Sequence, residues 1–90
     1  LEKACELGSA DGCAGFGKAL FKGDGLPKDE SRGVSLYQRA CDADNAWACG
    51  ELAEAFKDGK GIPTDVEKSQ AAIQRGCQLG LQDERCRKRR

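Results

Sequence analysis

The stretch ACELGSADGC, residues Ala4 to Cys13, decides how this chain is read. Two cysteines flank a short polar corner centred on Gly8 and Ser9. Thirty-six residues on, ACDADNAWAC (Ala40 to Cys49) repeats the arrangement. Cys5, Cys41 and Cys77 share this interval of 36, and so do Cys13 and Cys49; Cys86 completes the six cysteines. The punctuation recurs in the same register, with GDGLPKD (Gly23–Asp29) returning as GKGIPTD (Gly59–Asp65). Ala4/Ala40, Ala10/Ala46 and Ala19/Ala55 coincide as well. A period of this length marks a repeat array in which each unit is one supersecondary motif.

Each unit reads as two helices. In the first, Ser9 caps a helix A over Ala10–Lys22, and Gly23 stands where a left-handed stop is needed. Cys13, Phe16, Gly17 and Leu20 recur at helical spacing and form its apolar stripe. The Gly-Asp-Gly-Leu-Pro-Lys loop reverses the chain, and Asp29 caps a helix B over Glu30–Ala43 whose inward stripe is Gly33, Leu36, Tyr37, Ala40 and Cys41. The second unit predicts a helix A over Ala46–Asp58, capped by Asn45, and a helix B over Val66–Leu79, capped by Asp65. A short third helix A is expected from Leu81. No useful length of chain alternates with period two, so no strand is expected. The organisation is one repeat domain over 1–90, read as the C-terminal part of a longer array: 1–8 the end of a preceding helix B, 9–44 and 45–80 the repeats, 81–90 a partial helix with a basic tail.

The cysteines admit three chemistries. A zinc site brings cysteines two to four residues apart, often with histidine; this chain has neither that spacing nor any histidine. A redox motif wants Cys-x-x-Cys at a helix start, which is also absent. If Ser9 and Asn45 mark corners between antiparallel neighbours, the flanking cysteines lie one helical turn away on facing sides. Ala4, Gly8, Ala10 and Gly12 allow the close approach that a disulfide requires. Three local disulfides follow: Cys5–Cys13, Cys41–Cys49 and, across a corner one residue longer, Cys77–Cys86. They place the protein in an oxidising compartment, with the periplasm or the exterior favoured and the mitochondrial intermembrane space the alternative.

Composition narrows the classes further. The 90 residues carry 15 basic and 15 acidic side chains, but Arg85, Arg87, Lys88, Arg89 and Arg90 hold five of the basic ones. The body is therefore acidic and the tail basic. The aromatic residues are Phe16, Phe21, Tyr37, Trp47 and Phe56, so the core rests on Ala, Leu, Val and Ile in close-packed helices. No apolar run approaches the ~20 residues that span a bilayer.

Together the motifs Ala4-Cys-x-x-Gly-x-Ala-x-x-Cys13, Phe16-Gly17, Leu20-Phe21, Gly23-x-Gly-Leu-Pro-Lys-Asp29 and Tyr37-Gln-Arg-Ala-Cys41 resemble the Sel-1-like repeat proteins, in the cysteine-rich branch known from Helicobacter. The resemblance covers nearly the whole chain. It implies an all-α fold of α/α-hairpin units in a right-handed, TPR-like solenoid, one disulfide per unit and a concave binding face. Asp44 departs from the pattern at the usual corner glycine, and Leu52-Ala53 replaces Leu-Gly.

The functional expectation is a scaffold or adaptor that binds a protein or peptide segment on the concave face of the A helices. Trp47, Glu51 and Glu54 fall on one helix stripe, because spacings of four and seven return to the same side. Asp11 and Lys18 hold the matching positions of the first unit. Trp47 reads either as packing at a repeat junction or as an aromatic anchor of the kind enriched in binding hot spots. The charges read as solvated or as partner contacts. The resemblance also raises a penicillin-binding or β-lactamase-like enzyme, yet the chain has no Ser-x-x-Lys and no histidine base. A third reading is an assembly factor of the mitochondrial intermembrane space. No cofactor, metal or catalytic residue is assigned. No nucleic-acid partner is expected, since the tail lacks interleaved aromatics; it reads as a solvated terminus or as a contact for anionic surfaces.

Overall fold

The computed structural model describes residues 2–87. Six helices run through them: α1 (Glu2–Glu6), α2 (Ala10–Lys22), α3 (Glu30–Asp42), α4 (Ala46–Asp58), α5 (Val66–Gln78) and α6 (Glu84–Arg87). There is no strand among the described residues.

Each long helix starts where a short polar side chain takes up an orphan backbone N–H. Ser9 Oγ accepts from the Gly12 amide at 2.9 Å, and Asn45 Oδ1 from the Ala48 amide at 2.8 Å. Asp29 and Asp65 accept from the Arg32 and Lys68 amides at 3.1 and 3.0 Å. α2 and α4 stop at Gly23 and Gly59, both in the left-handed region. The loops are then drawn back, with the Asp29 amide donating to Leu20 O at 2.7 Å and the Asp65 amide to Phe56 O at 2.9 Å.

α2 with α3 and α4 with α5 form antiparallel hairpins, and α4 of the second packs on α3 of the first. The architecture is an α/α-hairpin repeat solenoid. Phe16, Leu20, Val34, Leu36, Tyr37, Leu52, Phe56 and Ile73 fill the core, with alanines and cysteines between them. The α2–α3 hairpin closes tightly because Gly17 and Gly33 face one another, where the α4–α5 hairpin has Ala53 and Ser69. A Cβ on Gly33 would lie 2.8 Å from Phe21 Cβ and 2.9 Å from Gly17 O.

The six cysteines pair as Cys5–Cys13, Cys41–Cys49 and Cys77–Cys86, with Cα separations of 4.3, 4.7 and 5.6 Å. Each bond spans a corner whose turning residue has positive φ: Gly8 at 91°, Asp44 at 72° and Gly80 at 95°. Asp44 bears a side chain in a conformation that glycine takes without cost. Its carboxylate accepts from Arg75 Nη2 at 2.6 Å, which ties the unusual corner to the next unit.

Three expected boundaries move. α3 and α5 end at Asp42 and Gln78, one residue before the expected Ala43 and Leu79, because the chain is already turning toward the corner. The third helix A starts at Glu84 rather than near Leu81. Leu81 occupies the position of Ser9 and Asn45: its amide donates to Gly76 O, as theirs do to Ala4 O and Ala40 O. Leucine cannot cap. Its side chain packs instead between Gly50 and Gly76, each of whose built Cβ would lie 3.1 Å from Leu81 Cδ2. The first unit has Ala14 and Ala40 at those places. Capping passes to Asp83, whose Oδ1 accepts from the Arg85 amide at 2.8 Å.

Candidate functional site

The A-helix residues singled out above gather on one face, built on Tyr37 of α3. Tyr37 is fully buried, and its hydroxyl has no hydrogen-bond partner among the described residues. Its ring stacks at a tilt on Phe21 of α2, centroids 5.6 Å apart. Trp47, in the first turn of α4, meets the same ring edge-on at 5.7 Å and 82°. Trp47 therefore sits at the junction between units and is still 40% exposed.

Glu51 is one turn further along α4 and half-buried. Burial pushes its carboxyl above the usual range, against the pull of Lys22, Arg85 and Lys18, while Glu54 adds to the rise. The Tyr37 hydroxyl is pushed up to about 12, mainly by burial and then by the Glu51 charge. Lys18 and Lys22 from α2, Glu51 and Glu54 from α4 and Arg85 from α6 thus meet in one electrostatic field. A cavity of about 160 Å³ runs between Phe21 and the α4 side chains Glu51, Glu54 and Asp58.

Not every candidate is available for a partner. Asp11 accepts from Asn45 Nδ2 at 2.9 Å, joining the N-terminal ends of α2 and α4. Glu54 accepts from Arg85 Nη1 at 3.3 Å. Lys18 is exposed, and neither it nor Glu51 has an ion-pair partner among the described residues.

Arg85 is the residue that sequence reasoning misplaced. Counted with a solvated basic tail, it is half-buried and grips Asp83 through Nε at 2.9 Å and Nη2 at 2.8 Å. Those bonds hold the Asp83 carboxyl well below the usual range, at about 2. The Asp83-x-Arg85 spacing was a signal, since a capping aspartate two residues before an arginine invites such a ring. Lys88, Arg89 and Arg90 lie outside the described residues.

Ser69, a buried serine, commits its hydroxyl to Ala53 O at 2.7 Å. Among the described residues no cluster of His, Cys, Asp and Glu is placed to hold a metal ion. No helix there is long and apolar enough to cross a membrane.

Comparison with known proteins agrees with this geometry. The model of the Sel1 repeat family matches residues 1–9, 10–45 and 48–80. Among solved structures, the Helicobacter pylori cysteine rich protein B is similar at 28% identity and a TM-score of 0.87, over 90% of this chain and 61% of that one. A Sel1 repeat protein from Oxalobacter formigenes superposes with a TM-score of 0.83 at 24% identity, over 87% of this chain and 32% of that one. A protective antigen of uropathogenic Escherichia coli with the same type of fold gives 0.84 at 20% identity, over 89% and 17%. The last two likenesses concern the fold alone. The chain spans less than two thirds of the length of each of these proteins. No curated protein matches it.

Proposed function

The chain belongs to the Sel1 repeat family, and from that premise we propose that it is a protein-interaction module whose α2 and α4 receive a segment of a partner protein. Repeat solenoids keep a common core while each unit displays different residues, which fits an extended partner. The observation that carries the reading is Trp47: a large apolar side chain, 40% exposed, already held edge-on against Tyr37. An anchor ordered before binding loses little conformational freedom on contact. Lys18 and Glu51, both without ion-pair partners among the described residues, set the charge pattern beside it. Asp11 and Glu54 contribute by holding the face in shape. The disulfides support an oxidising compartment, and we assign the protein to the periplasm or the exterior.

The test uses one variant and two measurements. A partner captured by the wild-type chain from its native compartment is titrated against wild type and Trp47→Ala. Binding weakens at least tenfold, as truncation of an aromatic anchor does. The stability cost stays near about 1 kcal/mol, since much of the ring is already in solvent. A large stability loss with no separate binding defect would instead assign Trp47 to the repeat junction alone. A β-lactam hydrolase reading has nothing comparable to rest on, because the chain contains neither Ser-x-x-Lys nor histidine.

A further inference from the structure

The three disulfides differ in how an attacking thiolate reaches them. Cys5, Cys13, Cys41 and Cys49 are 1, 4, 2 and 0% exposed, whereas Cys77 and Cys86 both retain contact with solvent. Thiol–disulfide exchange needs a thiolate to approach a sulfur directly, so a buried bond reacts only after its surroundings open. The second bond joins two 13-residue helices, α3 and α4, and the first joins the five-residue α1 to the 13-residue α2 with both sulfur-bearing residues buried. The third holds α6, a helix of four residues with no buried side chain.

Among the described residues, little else fastens α6 to the array. Leu81 packs between Gly50 and Gly76 at the corner before it. The Arg85–Glu54 ion pair at 3.3 Å is partly exposed, and pairs in contact with solvent contribute little on their own. The Asp83–Arg85 ring is local to the corner and moves with it. We propose that Cys77–Cys86 is a reducible latch: a dithiol opens it ahead of the other two bonds, and α6 then swings free and takes Arg85 off Glu54.

The chemistry balances as ordinary exchange. A thiolate of the dithiol attacks one of the two sulfurs, and the other leaves as thiolate. The second thiol of the reductant then displaces the mixed disulfide. Two electrons pass to the cysteines, which take up protons to become thiols, and the reductant ends as a disulfide. The consequence rests on the reading of α4 as the partner face. With Arg85 gone, Glu51 and Glu54 lose the cation that α6 supplies, and that half of the face becomes acidic.

The oxidised full chain is treated with stepped dithiothreitol, quenched with an alkylating agent and mapped by peptide mass spectrometry, with amide hydrogen exchange measured in parallel. Cys77 and Cys86 are labelled at least tenfold faster than the other four cysteines. Exchange rises at 84–87 while α2 to α5 stay protected. Three bonds opening together, or protection lost across α4 and α5, overturns the latch. Neither readout involves a partner, so failure here leaves the Trp47 result standing, and the reverse holds.

Discussion

Tyr37 is the only tyrosine in the chain, which makes its environment directly readable. Burial and the nearby Glu51 charge favour the neutral phenol, so the ultraviolet titration of the folded protein has its midpoint at about 12. The unfolded chain titrates near about 10. The raised value means that stability is complete below about pH 10 and falls as the pH climbs from there toward 12. A midpoint near the ordinary value would place the hydroxyl in water. Removing that hydroxyl is a second probe. Tyr37→Phe keeps both aromatic contacts and deletes a buried group with no protein partner, so denaturant unfolding registers a cost below about 0.5 kcal/mol or a small gain. A loss above about 1.5 kcal/mol would reveal a hydrogen bond worth keeping. The sequence placed Tyr37 correctly on the inward stripe of α3. It did not reveal that this ring supports Trp47, because the contact joins residues in neighbouring units.

At the scale of the element, closure of the α2–α3 hairpin depends on its facing glycines, Gly17 and Gly33. Gly33→Ala introduces a methyl 2.8 Å from Phe21 Cβ and 2.9 Å from the Gly17 carbonyl, which forces α2 and α3 apart. Overpacking of this kind costs about 1–3 kcal/mol, read as a lower thermal midpoint. An unchanged midpoint would mean that the hairpin can widen freely. The third corner has a pH signature of its own. The Asp83 carboxyl is depressed to about 2 by its hydrogen bonds from Arg85. Its contribution is present above about pH 4 and disappears as the pH falls toward 2. Wild type therefore loses more thermal stability between pH 4 and pH 2 than Asp83→Asn does, and equal losses would show that the ring is not formed. Caps and stops were legible from sequence because they are local: Ser9, Asp29, Asn45 and Asp65 all cap as read. The start of α6 was not, because Leu81 serves the groove between Gly50 and Gly76 instead of the helix that follows it.

Across the whole molecule, stability rests on a small core and three staples. A ring of this size contributes on the order of 2.5 kcal/mol by restricting the unfolded chain. Three of them rival the net stability of a small domain. Replacing all six cysteines by serine removes most of the helical signal in far-UV circular dichroism at room temperature, and an undiminished cooperative melt would show that packing alone suffices. The sequence alone determined the repeat, the hairpins, the caps and the cysteine pairing. Each of these depends on residues close in the chain or on a spacing of 36 that can be counted. Only the tertiary structure decided which charges are paired within the chain and which are not, among the described residues. Asp11 is taken by Asn45, Glu54 by Arg85, and Lys18 and Glu51 are left over. Those assignments depend on the separation between units and on an arginine that returns across the corner, and neither is encoded in the periodicity of any one helix.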